Sequence, residues 1–109
     1  MAKPQEILQQ AISLIEKKGN DYQNPNSSIK QADYFPRGCA SILDMIHIKL
    51  LRMRSIIEAI QSSKEFEPNN ESLKDSAIDL INYASFFAAY IDGDIDGQTN
   101  EKDLLNRKK

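Results

Sequence analysis

An all-α fold, a small bundle of three to four helices, is predicted by this sequence from three observations. Apolar residues recur at spacings of three and four in separate segments, most prolines and glycines fall between those segments, and one central segment of some two dozen residues contains neither. That central segment is apolar on nearly all sides, so it needs to be surrounded by other helices.

Taken in order, Pro4 opens a segment with Leu8, Ala11, Ile12 and Ile15 on one face and Gly19 just beyond Lys18. Proline first and glycine last is the signature of a helix, here over Pro4 to Lys18. The stretch GNDYQNPNSSIKQADYFPRG that follows collects Gly, Asn, Asp, Ser and Pro and reads as a long loop with room for one short helical turn. Structureless connections of that length are uncommon in compact domains unless they bind something or are disordered, and Tyr22, Tyr34 and Phe35 supply anchors for order. The second helix runs from about Cys39 to Ser63, with Ile42, Leu43, Met45, Ile46, Ile48, Leu50, Leu51, Met53, Ile56, Ile57 and Ile60 as its apolar residues. They point in more directions than two neighbouring helices cover, which predicts a dimer or tetramer with this helix in the interface. KEFEPNNE breaks the pattern, and Asn70 is placed to cap a third helix over about Glu71 to Ile91. Its expected buried stripe is Leu73, Ala77, Leu80, Ile81, Ala84, Phe87, Ala88 and Ile91. Residues 92–109 read as a polar, frayed tail on which Leu104 and Leu105 could dock.

A chain of 109 residues fits one domain. Its 40% hydrophobic and 28% charged residues are ordinary for a globular protein, which excludes disorder throughout. A net charge of −2 offers no general attraction to a phosphate backbone, so duplex nucleic acid is not an expected partner. No run approaches the ~18 apolar residues of a membrane span, and the N-terminal segment lacks the apolar core of a signal peptide, so a cytoplasmic location is expected. Cys39 is a lone cysteine among apolar neighbours and reads as a small core residue.

Two polar stripes are candidates for chemistry. On the third helix Glu71, Asp75, Asp79 and Asn82 recur at four, four and three, within about a quarter of the helix circumference and opposite the expected core stripe. Such a stripe is either a solvated face or half of a metal site. Like charges four apart repel by a few tenths of a kcal/mol, and a magnesium ion, which takes carboxylates together with substrate phosphates, would relieve that repulsion. On the second helix Asp44, His47, Arg54, Ser55 and Glu58 form a narrower stripe, with Lys49 and Arg52 to one side. The cations either reach solvent and pair across a helix interface, or face the acidic stripe across a pocket and meet phosphate. His47 is a packed interface residue or a ligand-binding group. Asp92, Asp94, Asp96, Gly97 and Asp103 follow much of the spacing of a calcium-binding loop, although the twelfth position lacks the usual glutamate.

The strings KKGNDYQNP, YFPRG, IHIKLLRMRS and ESLKDSAIDLINYASF, in that order over Lys17 to Phe86, resemble the nucleotide modification associated domain 1 family, which is common in phages. That family looks related to the all-α, MazG-like nucleoside-triphosphate pyrophosphohydrolases, so the resemblance implies a helical assembly holding magnesium and a nucleotide beside a subunit interface. Together with the two stripes it gives expected ligand-binding roles to Tyr22, Tyr34, Arg37, His47, Lys49, Arg52 and Asn82, with Lys49 and Arg52 on phosphates and Tyr22 or Tyr34 stacking on a base, and places Glu71, Asp75 and Asp79 on magnesium or on sugar and base donors. MazG-like enzymes carry clustered glutamates on the earlier helix, where this sequence has Asp44 and His47. The expectation is therefore a protein that binds a phosphorylated or cyclic nucleotide, with sequestration of a nucleotide immune signal in an infected host as the implied role. The alternatives are a magnesium-dependent pyrophosphohydrolase and a purely structural or interaction module.

Overall fold

A computed structural model describes residues 3–22, 26–62 and 70–99, with only the backbone for 19–22 and 70–72. Helix α1 spans Pro4–Tyr22, a single 3-10 turn spans Gln31–Tyr34, helix α2 spans Cys39–Ser62 and helix α3 spans Asn70–Ile91. There is no strand among the described residues. Helix α1 continues one turn beyond its expected end. A glycine weakens a helix by about 1 kcal/mol but keeps its hydrogen-bond donor, so Gly19 is carried inside the helix rather than ending it.

Helix α3 is central: α2 packs along one side of it and α1 along another, and these are the dominant helix contacts. The core gathers where α2 and α3 meet the 3-10 turn. Ala32, Phe35, Cys39, Ile42, Tyr90 and Ile95 are buried there, with Ile46, Tyr83, Phe86 and Phe87 packed around them. Cys39 is a free thiol in this cluster, as its apolar neighbours predict.

The segment after α3 is not frayed at its start. Gly93, at φ 80°, closes the helix by donating its N–H to the Tyr90 carbonyl, while Asp94 donates to Ala89. This pair of bonds satisfies two of the helix's terminal carbonyls. The chain then folds back, burying Ile95 and donating the Gln98 side-chain amide to the Tyr90 carbonyl at 2.8 Å. The Asp96 carbonyl accepts the Ala32 N–H at 2.9 Å, tying this hook to the 3-10 turn. Sequence pattern alone misses the hook because a single apolar residue, Ile95, anchors it and the rest is hydrogen bonding by the backbone and the Gln98 amide. Asp92, Asp94 and Asp96 form no metal-holding group among the described residues. Asp103, Leu104 and Leu105 lie outside them.

The hook makes one glycine sensitive. Gly97 sits at φ 85°, and a Cβ there would stand 2.4 Å from the Lys30 Cβ. Gly97→Ala is expected to lower stability by about 1–3 kcal/mol, from left-handed strain and the displaced hook together. Urea unfolding followed by circular dichroism measures it, and an unchanged midpoint would show that the hook adds nothing to stability.

The expected buried stripe of α3 is only half right. Leu73, Ala77, Leu80, Ile81, Phe87 and Ile91 are half-buried, and Ala84 and Ala88 are exposed, whereas Ser76, Ile78, Asn82 and Tyr90 are the buried residues. The helix is flanked on two sides, by α1 and α2, and much of its most apolar stripe looks away from both.

Candidate functional site: the valley between α1 and α2

Helices α1 and α2 both lean on α3, and the space between them is a valley with α3 as its floor. At 100° per residue, Asp75, Asp79, Asn82 and Phe86 fall within about 60° of one another on α3 and line that floor. The acidic stripe is therefore not a solvated face opposite the core. Asn82 is buried, Asp79 is largely covered and Asp75 remains exposed.

Across the seam with α2, the Lys49 Nζ lies 3.2 Å from the Asp79 carboxylate, with the two side chains 18% and 26% exposed. An ammonium and a carboxylate held together with most of their surface out of water attract far more strongly than an exposed pair, and each depends on the other to offset its lost hydration. The helices run antiparallel in this register, since Met45 and Tyr83 line one hollow a turn further along. Arg52 follows Lys49 by about one turn on the same side of α2, which the antiparallel register puts at the level of Ser76, with its side chain exposed.

Helix α1 supplies the other wall. A groove of ≈ 380 Å³ is lined by Gln10, Leu14 and Lys18 from α1 and by Asp75, Ile78 and Asp79 from α3. Asp79 thus borders the groove and meets Lys49 at the same time. Lys18, Gln10 and Leu14 carry no sequence signal that distinguishes them from an ordinary helix surface. They enter the site only because α1 packs against this side of α3.

Not all the residues expected at the site are brought together. His47 and Arg54 lie 140° or more around α2 from Lys49 and are exposed away from the valley. Of the α2 cations, only Lys49 and Arg52, which flank the narrower stripe, share the valley side. Arg37 is exposed and ion-paired with Asp44, where solvent leaves such a pair little net effect. Tyr34 ends the 3-10 turn at the far end of the valley and lines a small pocket with Gln31, Phe35, Met45, Tyr83 and Phe86. Glu71 and Tyr22 lie on α3 and α1, with side chains outside the described residues.

For magnesium, the fit is partial. Asp75 and Asp79, one turn apart, match the one or two carboxylates that this ion takes beside substrate phosphates. No group of three candidate ligands occurs among the described residues, and Asp79 is already partnered by Lys49.

The sequence profile described as nucleotide modification associated domain 1 matches residues 30–90. The match takes in the 3-10 turn, all of α2 and nearly all of α3, and so the floor and the α2 wall of the valley. The block 17–25 lies before it. No curated protein and no solved structure matches the chain. With more than half of its 109 residues matched in one continuous stretch, the chain belongs to the nucleotide modification associated domain 1 family.

Proposed function

We propose that this protein binds a phosphorylated nucleotide in the valley, with Lys49, Arg52 and Lys18 toward the phosphates and Asp75 and Asp79 toward a magnesium ion or the sugar hydroxyls. The observation that carries this is the Lys49–Asp79 pair, largely out of water and beside an open groove with a further carboxylate and a further lysine on its rim. A cation and two acids converging on one concave surface suit a ligand that brings both negative oxygens and a metal or hydroxyl donors. Asp75 and Asp79 would hold the ion, which would offset the negative charge of the phosphates, and Glu71 is the next acid of the same stripe.

Binding without turnover is favoured by Lys49. Its ammonium already neutralises one of the two described carboxylates that magnesium would need, whereas hydrolysis of a diphosphate bond calls for a fuller acidic set. A small nucleotide-binding protein of this kind would act by withdrawing a nucleotide signal from its receptor, and in a phage setting that signal would belong to the host's defence. A MazG-like arrangement of paired subunits fits the apolar surface that one copy leaves uncovered.

Calorimetry against nucleoside triphosphates and cyclic dinucleotides tests the proposal. One of them is expected to bind, with Lys49→Ala weakening it at least about tenfold, the effect of one lost charge-assisted contact. No heat with any of them up to millimolar concentration would remove it. Pyrophosphate release that vanishes in EDTA and in Asp75→Ala would instead identify the hydrolase.

A further inference from the structure

At the end of the valley closed by the 3-10 turn lies a second, smaller hollow of ≈ 190 Å³, walled by Gln31, Tyr34, Phe35, Met45, Tyr83 and Phe86. Four aromatic rings and a thioether converge there, and beside the tyrosine hydroxyls the amide of Gln31 adds a donor and an acceptor on separate atoms. The hollow is smaller than the ~300–1,000 Å³ of sites that enclose a whole small ligand, so it suits one group of a ligand whose remainder runs out along the valley.

The shape of the wall narrows that group to a flat ring. Tyr83 and Phe86 meet at 81° with centroids 6.0 Å apart, forming a corner. Phe35 flanks Phe86 at 6.1 Å and 43°. A planar ring lying against one face of this corner meets the other ring edge-on, and stacked and edge-to-face contacts are the two geometries aromatic pairs prefer. Tyr34 is 48% exposed at the rim, where its ring is placed to close over an occupant.

Register connects this hollow to the charges. Met45 precedes Lys49 by four residues on α2, and Tyr83 follows Asp79 by four on α3, so the hollow lies one helical turn, about 6 Å, from the ion pair. Arg52 and Asp75 lie about 10–12 Å away on the same line. A flat base at one end and charged oxygens at the other reproduce the layout of a nucleotide along this axis.

We infer that the Gln31–Tyr34–Tyr83–Phe86 hollow is a nucleobase pocket, which rests on the nucleotide binding proposed above and gives that site its base selectivity. Stacking on the rings is tolerant of base identity, because every base has a π-face, whereas the Gln31 amide distinguishes base edges by their order of donors and acceptors.

The chain has no tryptophan, and Tyr34 and Tyr83 are two of its four tyrosines, so stacking in the hollow is read as a partial quench of the tyrosine emission. The experiment titrates the full chain with the four common nucleosides, their triphosphates, ribose 5-triphosphate lacking a base, and tripolyphosphate. Nucleosides alone are expected to quench the emission saturably. Tyr34→Leu, a rim change, should weaken them by roughly 5- to 150-fold, while Tyr34→Phe, which keeps the ring, should bind like the natural protein. Gln31→Leu should flatten the ranking among bases, and Lys49→Ala should weaken the triphosphates while leaving nucleosides unchanged. If base-free ribose triphosphate binds as tightly as the nucleotides and Gln31→Leu changes no ranking, the base pocket is wrong and the phosphate site stands. If nucleosides bind but their phosphates add nothing, the base pocket stands and the phosphate site is wrong. If no compound binds, both are wrong.

Discussion

Ile42→Ala is expected to lower the free energy of unfolding by about 2–5 kcal/mol, enough to consume much of the stability of a domain of this size. Ile42 is 0% exposed and sits where α2, α3, the 3-10 turn and the C-terminal hook converge. Its neighbours are a large rigid ring, Tyr90, and short anchors at Ala32 and Cys39. Such a group relaxes poorly into a void, which puts the cost toward the upper part of the range. Chemical denaturation measures it. A loss below about 1 kcal/mol would mean that the cluster collapses around the change and is not the core of the fold. Ile57→Ala, the same chemistry at a residue 44% exposed, serves as the comparison and is expected to cost far less in a single subunit.

Leu50→Glu is expected to convert an assembled protein to a 12.4 kDa monomer. Leu43, Leu50 and Ile57 recur every seven residues along α2 and are 54%, 44% and 44% exposed. Ile46, Met53 and Ile60 each follow one of them by three residues and are half-buried. Together they make the alternating three-and-four spacing of a helix that packs against another helix on that side. Ala84 and Ala88 of α3 lie on the same side of the α2–α3 pair, opposite the valley. The uncovered surface therefore spans both helices, and a second copy laid across it would complete a four-helix arrangement with each valley left open. Each Leu or Ile buried in this way contributes ~1.5–3 kcal/mol, so a few per subunit hold a dimer at micromolar concentration. A glutamate in the middle of the seam would have to lose its hydration without a partner. Light scattering reads the mass directly, with Ser55→Glu, exposed about 140° away, expected to leave it unchanged. A natural protein that is already monomeric at that concentration would defeat the assembly altogether.

Both expectations show how far the sequence carries. Helix existence was legible because it follows from local features: Pro4 at a start, Gly93 past an end, and an unbroken run from Cys39 to Ser62. The end of α1 was not, since Gly19 lowers helix propensity without forbidding it, and only the balance with packing decides. The acidic stripe and the cations of α2 were visible as periodicities, and so were two alternative meanings for each. Periodicity says which residues share a face, and it does not say what that face meets.

By itself, then, the sequence determined three helices, their apolar faces, the excess of apolar surface on α2 and the residues that resemble the family's pattern. The tertiary structure decided which side of α3 each neighbour takes. That choice sets Asp79 against Lys49, turns His47 and Arg54 outward, brings Lys18 into the groove and folds Ile95 back onto the core. The physical reason is range. Capping and turn preferences act over four residues and are written in consecutive letters, whereas the Lys49–Asp79 pair joins residues 30 positions apart. Its existence depends on a helix register fixed by the packing of Ile42, Phe86 and Tyr90 in the core.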